Sequence, residues 1–449
     1  MPKSFFYSIP YVNELLSSPR IKPYLDRLQP GAVYATVRGV VDDISGEMFS
    51  AASEWRAPDI SELIEKIVAR LQDVVAEKST VVLDGRSVLL SPFAEELGRE
   101  TVEDMVWAID SGRPIQESLV SSLLCRLTGA EDALVFGNVA QAKTALLKSL
   151  CSGRQAVIAR RDLYDDGNGV RLESLFDMAG VAFKEVGASN GATFEDYRRV
   201  CSCETGLVYL AKGGYSQLDF TLDSLGMKQL RELAERFGFP LVYDVEIAPV
   251  LDLSAAFGDD IPTIGEYIKG EADLLVFSGG QLIGGPACGF VAGRKEWIGK
   301  IRQSGISSYF PVHRVDLAGS YRTLVLSQDR DSVVSTLPIM QRIFASEANL
   351  ANRGGRLAVQ LASCSFVDSA ETIPGQTSLY PGGKKGCLPT SLLAITPKNR
   401  TVKDVAKMLE AAKPGIMVNE ESSRLTIDLR MIPPRYDALL VEIFESYSE

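Results

Sequence analysis

A glycine-dense loop, Phe277-Ser278-Gly279-Gly280-Gln281-Leu282-Ile283-Gly284-Gly285-Pro286-Ala287-Cys288-Gly289, lies between two apolar runs, Asp273–Phe277 and Gly289–Ala292. Its central polar side chain is Gln281. An amide neither forms an imine nor acts as a base near neutral pH, so covalent chemistry here would need another group, such as the Cys288 thiol. Pro240-Leu-Val-Tyr-Asp244 ends a second apolar run in a carboxylate, either a site group or a cap on the following helix. At Gly137-Asn138 an apolar run meets a helical pattern. Its backbone N–H groups would receive an anion or make an ordinary strand-to-helix turn. Arg314, in Pro311-Val-His-Arg-Val-Asp316, can hold an anion through charge-assisted bonds. The neighbouring His313 is the only histidine in the chain. A Ser-His-Asp hydrolase would have to rest on it alone, and multi-histidine metal sites are excluded. It reads as an interface or surface residue.

The elements that must position these groups follow from the pattern of apolar residues. Strands are expected at Ala133–Phe136, Ala156–Arg160, Val181–Val186, Gly206–Ala211, Pro240–Asp244, Asp273–Phe277 and Gly289–Ala292, with helices such as Gln141–Cys151 and Ser224–Phe237 between them. Short apolar strands joined by helices imply an α/β fold with a mostly parallel sheet covered on both faces. Residues 9–50 read as short helices broken at Pro10, Pro19, Pro23 and Pro30-Gly31. Pro58-Asp59 opens an amphipathic helix, running to about Glu77, with Ile60, Leu63, Ile64, Ile67, Leu71 and Val74 on one stripe. After residue 330 a long helix around Pro338–Cys364 and a glycine-rich loop, Pro381–Gly386, precede alternating strands and helices. The expected division is a helical N-terminal region (1–80), a large α/β domain (81–330) and a small α+β domain (331–449).

Several motifs, in order, resemble bacterial selenocysteine synthase, the L-seryl-tRNA(Sec) selenium transferase family. The Gln281 loop resembles that family's lysine motif, with Gly280-Gln281 in place of an Asp-Lys pair. Ile9-Pro-Tyr-Val-Asn-Glu-Leu-Leu16, Leu124-Cys-Arg-Leu-Thr-Gly-Ala-Glu131 and Leu425-Thr-Ile-Asp-Leu-Arg430 resemble its opening, a central segment and its close. The resemblance implies the fold-type I architecture of pyridoxal-phosphate (PLP) enzymes, with a seven-stranded sheet. The lysine that forms the Schiff base and moves protons would stand at position 281, after Ser278. Asp244 would pair with the pyridinium nitrogen. Gly137 and Asn138 would form part of the phosphate cup, where one of the family's three asparagines remains. Arg314 would be the survivor of two arginines that hold the anionic selenium donor; the other position is Pro311. The family's His-Ser-Asn run is absent from Lys212-Gly-Gly-Tyr215, and Lys212 stands at another strand end, too far along the chain to replace the Schiff-base lysine. A further family arginine falls at either Arg86 or Arg99.

Scaffold residues thus persist while chemistry-bearing ones are changed. The reading is a non-catalytic or repurposed homologue, with PLP implied by the family but without covalent attachment. The alternative is an active transferase or lyase of this fold, acting on seryl-tRNA(Sec) or a small amino acid with PLP held non-covalently or with another nucleophile. If chemistry alone has been lost, Gln281→Lys should restore covalent capture, because Asp244 and the Gly137-Asn138 turn remain to orient the ring.

Composition bounds the partners. The formal net charge is −11, and residues 1–50 carry as many acidic as basic side chains, so tRNA binding finds no support in charge. The resemblance implies a homo-oligomer, a dimer at least and a larger ring at most. No apolar run is long enough to span a membrane, and the N-terminus lacks a signal-peptide core, which places the protein in the cytoplasm. The seven scattered cysteines, Cys201 and Cys203 among them, read as reduced thiols rather than metal ligands.

Overall fold

The computed structural model describes residues 12–27, 30–50, 58–76, 82–90, 96–110, 115–164, 171–211, 224–258, 261–270, 272–380 and 386–447. The features expected at 9–11, 212–215 and 381–385 lie outside these residues. The chain forms two compact units, residues 1–82 with 408–416 and residues 83–407 with 417–449.

In the first unit, helices Val12–Leu16, Lys22–Arg27, Pro30–Ser50 and Ile60–Ala76 follow one another. A helix starts at Pro30, at the expected break, but it runs for 21 residues rather than being short. Proline at the first helical position removes an N–H that would have no partner there anyway. Val33, Val37, Val40 and Ile44 then form an apolar stripe that packs with Leu63, Ile67 and Leu71 of the next helix. That burial outweighs the three glycines at 31, 39 and 46. Ile60, assigned to the same stripe by pattern, is 55% exposed.

The second unit holds a seven-stranded sheet of β1 (Asp132–Phe136), β2 (Gln155–Ala159), β3 (Ala182–Val186), β4 (Thr205–Ala211), β5 (Leu241–Glu246), β6 (Leu274–Ser278) and β7 (Gly289–Gly293). Their spatial order is β1-β7-β6-β5-β4-β2-β3. All neighbours are parallel except β7, which runs antiparallel to both β1 and β6. Both faces are buried except at the edge strand β3, where Ala182, Lys184 and Glu185 are exposed. Val135, Val208, Leu210, Leu275 and Phe277 point into one core, whereas Leu134, Phe136, Leu207, Tyr209 and Val276 point into another. Alternate residues of the same strands therefore serve opposite layers, which explains why these strands read as continuous apolar runs.

Farther along, the long helix expected at Pro338–Cys364 is two helices, Pro338–Ile343 and Glu347–Leu361. Ser346 is extended between them (φ −69°, ψ 130°). The break lets Ile339, Met340 and Ile343 bury in a cluster with Leu282 and Leu337. The elements that follow are strands Val367–Thr377 and Leu388–Pro397, a helix Val402–Ala411, three short strands and a final helix Asp437–Ser446, rather than a strict alternation. Among the described residues no helix is long and apolar enough to cross a membrane.

Candidate functional site

Three loops at one end of the large sheet bring the candidate residues together. β5 carries Asp244, fully buried, opposite Ala211 of β4 and Val276 of β6. Between Asp244 and Glu246 the register with β6 slips by one residue, a bulge of the kind found where a strand re-aims a functional side chain. One carboxylate oxygen, Oδ2, collects three donors. They are the Tyr164 hydroxyl at 2.6 Å, the Tyr209 hydroxyl at 2.7 Å and the Lys143 ammonium at 2.9 Å. Lys143 Nζ also lies 2.5 Å from the Tyr164 hydroxyl.

Lys143 comes from the helix Val139–Leu150 and is 3% exposed. Sequence reasoning missed it, although a signal was present. Val139, Lys143, Leu146 and Leu150 fall on one helical stripe, and a lysine within such a stripe is either snorkelling or paired. Tyr164 follows the single turn Arg160–Asp162 after β2, and Tyr209 lies within β4. Their contribution depends on strand neighbours and had no sequence signal.

The Gly137-Asn138 turn joins β1 to the same helix. Asn138 is extended, and its Oδ1 accepts the N–H of Gln141 at 2.9 Å. The Gln141 side chain folds back over Gly137, where a Cβ would stand 2.7 Å from Gln141 Oε1. That oxygen is buried without a hydrogen-bond partner. Gly289, at the start of β7, approaches the turn so closely that a Cβ would stand 2.2 Å from the Asn138 carbonyl oxygen. Glycine is the residue that permits this approach.

The loop between β6 and β7 closes on itself. Gly279 N–H donates to the Cys288 carbonyl at 2.7 Å, Gly285 N–H to that of Gly279 at 3.0 Å, and Gly280 N–H to Ser278 Oγ at 3.2 Å. Gln281 sits at its turn with φ +49°, a left-handed conformation that side chains other than Asn and Asp seldom adopt. Its Oε1 is buried with no partner. Gln281 and Gly284–Ala287 line a cavity of about 270 Å³ shared with Glu96, Met105, Asp316 and Arg342. Glu96 pairs there with Arg342 at 3.3 Å.

The remaining candidates are dispersed. Cys288 is buried, and burial pushes its thiol up to about 11. It is thus a protonated thiol near neutral pH and a poor nucleophile. Arg314 begins the helix Arg314–Leu326 exposed, with no ion pair among the described residues, while Asp316 faces the cavity. His313, just before that helix, is exposed as well. Arg86 makes a two-pronged contact with Asp84, at 2.9 Å on each prong, and Arg99 reaches out to Glu103. Lys212 lies outside the described residues. No cluster of His, Cys, Asp and Glu among the described residues has the makings of a metal site.

A strand order of this kind, an aspartate near the C-terminal end of the central strand and a glycine loop between the last two define the fold-type I architecture of PLP-dependent transferases. D-Glucosaminate-6-phosphate ammonia-lyase superposes with a TM-score of 0.59 at 17% identity, over 82% of this chain and 96% of that one. Within that architecture, residues 75–433 match the family model SelA: L-seryl-tRNA selenium transferase. The chain belongs to this family. It is 27% identical to the L-seryl-tRNA(Sec) selenium transferase of Carboxydothermus hydrogenoformans, over 95% of this chain and 94% of that protein. Against the enzyme of the same name from Rhizobium meliloti it is 30% identical, over 79% and 78% of the two chains.

Proposed function

We propose that this chain is a member of the selenium transferase family that has given up the Schiff-base chemistry and acts through binding or assembly. The observation that carries the reading is Gln281. The position where family resemblance expects the cofactor lysine holds an amide, and no other amine is present between Ser278 and Gly289. An amide cannot supply the imine or the proton transfers that follow from it. Covalently held PLP therefore does not fit the residues present, and no step is derived through it.

The same reading keeps Asp244, Gly137, Asn138, Ser278 and Gln281 as the remnant of a cofactor site and Arg314 as a remnant anion group. It places the protein in the cytoplasm as a dimer or larger homo-oligomer, with a large domain at 81–330. Binding of seryl-tRNA(Sec) stays open in this reading: the relatives named for it favour it, whereas the net charge of −11 lends it no support.

The test is made on one purified sample. Borohydride treatment after incubation with PLP is expected to leave no pyridoxyl-lysine in the mass spectrum. Seryl-tRNA(Sec) with selenophosphate is expected to remain unconverted, and light scattering should give at least a dimer. A reduced pyridoxyl adduct on any lysine of the site, or turnover by the unmodified protein, would overturn the proposal.

A further inference from the structure

Losing the lysine does not by itself empty a PLP site. An aspartate for the ring nitrogen and backbone N–H groups for the phosphate would still hold the cofactor reversibly. In this protein both anchors are already engaged by its own side chains. Asp244, the group that would pair with a pyridinium, faces an ammonium instead, Lys143 Nζ, 2.9 Å from Oδ2. The Tyr164 and Tyr209 hydroxyls reach the same oxygen at 2.6 and 2.7 Å. A carboxylate oxygen offers about two lone-pair sites, so three donors saturate it. A ring N–H could reach Oδ2 only by displacing one of them.

The other anchor is covered too. The Gln141 N–H, at the helix start where a phosphate would be received, is capped by Asn138 Oδ1 at 2.9 Å. The Gln141 carboxamide lies against Gly137 with its oxygen turned inward. A carbonyl oxygen at that position repels the phosphate that the turn would otherwise attract.

We propose that Lys143 is an internal substitute for the cofactor's ring nitrogen. It supplies the positive charge that Asp244 requires and so closes the ring seat to PLP even without covalent attachment. The inference deepens the reading made from Gln281 but rests on different residues, so the two can fail separately. Competition favours the side chain. A cation tethered on the adjoining helix acts at an effective concentration far above that of a dissolved ligand. Its neutralisation of Asp244 also leaves no net charge for the ring to satisfy.

Pyridoxal phosphate titrations of the full chain and its variants, followed by borohydride and mass spectrometry, test this. The unmodified protein is expected to show no saturable binding at micromolar cofactor. Lys143→Ala should bind at least about tenfold more tightly, reversibly, a gain of about 1.4 kcal/mol. Gln281→Lys alone should capture none, and Gln281→Lys combined with Lys143→Ala should fix it covalently. Under this inference Gln281→Lys alone is not sufficient. Saturable reversible binding by the unmodified protein would overturn the role of Lys143 while leaving the Gln281 reading intact. A borohydride-fixed adduct on the unmodified protein would overturn that earlier reading. Folded Lys143→Ala with no gain in affinity would overturn the inference. So would covalent capture by Gln281→Lys alone, an arm that stands even if Lys143→Ala does not fold.

Discussion

The two ends of the remnant site have met the loss of chemistry in opposite ways. At the Asp244 end the buried carboxylate is compensated within the molecule: its Oδ2 meets one ammonium and two phenols. At the Gln281 end the backbone is held left-handed, the amide oxygen has no partner and a cavity of about 270 Å³ lies beside it. The first has become architecture; the second keeps the marks of a place where something is received. A buried charge has to be compensated within the molecule when its ligand is gone, because leaving it unpaired costs several kcal/mol. A neutral amide beside a cavity is under much weaker pressure.

That contrast predicts unequal responses to mutation. The largest effect is expected for Lys143→Met, which removes the charge from the filled end while keeping most of the volume. Breaking a buried pair from one side costs about 3–5 kcal/mol, so the urea midpoint should fall sharply. A loss below about 1 kcal/mol would place Lys143 with ordinary surface ion pairs and break the comparison.

The opposite sign is expected at the other end. Gln281→Gly frees a left-handed residue from its side-chain penalty and removes the unpartnered amide. Allowing for the added freedom of glycine in the unfolded chain, it should raise stability by about 0.5–1.5 kcal/mol. Destabilisation would mean that the amide holds a bound group in solution, which would sharpen the view of that end as a receiving site.

The smallest effect concerns pH. Burial, the largest influence on each, pushes the thiols of Cys151 and Cys201 up to about 12 and that of Cys288 up to about 11, from an ordinary value of 9.0. The folded chain therefore keeps these protons at pH values where the unfolded chain has released them. Their stabilisation is complete below about pH 9 and is lost as the pH rises toward 11 to 12. Iodoacetamide near neutral pH should label the exposed Cys203 and spare Cys288. Rapid labelling of Cys288 in the folded protein would show that the loop opens and that the Gln281 end is more mobile than its hydrogen bonds imply.

The sequence by itself determined the layered α/β fold and much of the candidate site's frame. The seven expected runs became the seven strands of one sheet; six are largely buried and apolar, as strands covered on both faces must be, while the edge strand β3 carries the exposed Lys184 and Glu185. The glycine loop fell between the last two strands, where its spacing put it, and Asp244 lay in the strand expected of it, which runs two residues farther, to Glu246. The length of the helix that starts at Pro30 and the break at Ser346 were misread for one reason: whether a helix continues or stops depends on which face finds a core. Only the tertiary structure decided what Asp244 pairs with. Lys143, Tyr164 and Tyr209 lie 101, 80 and 35 residues before it in the chain. They meet it because parallel strands and their crossover helices bring those positions to one end of the sheet. A local pattern reports which residues must be buried, but the partner of a buried charge is fixed by strand order and register, and these are properties of the assembled sheet.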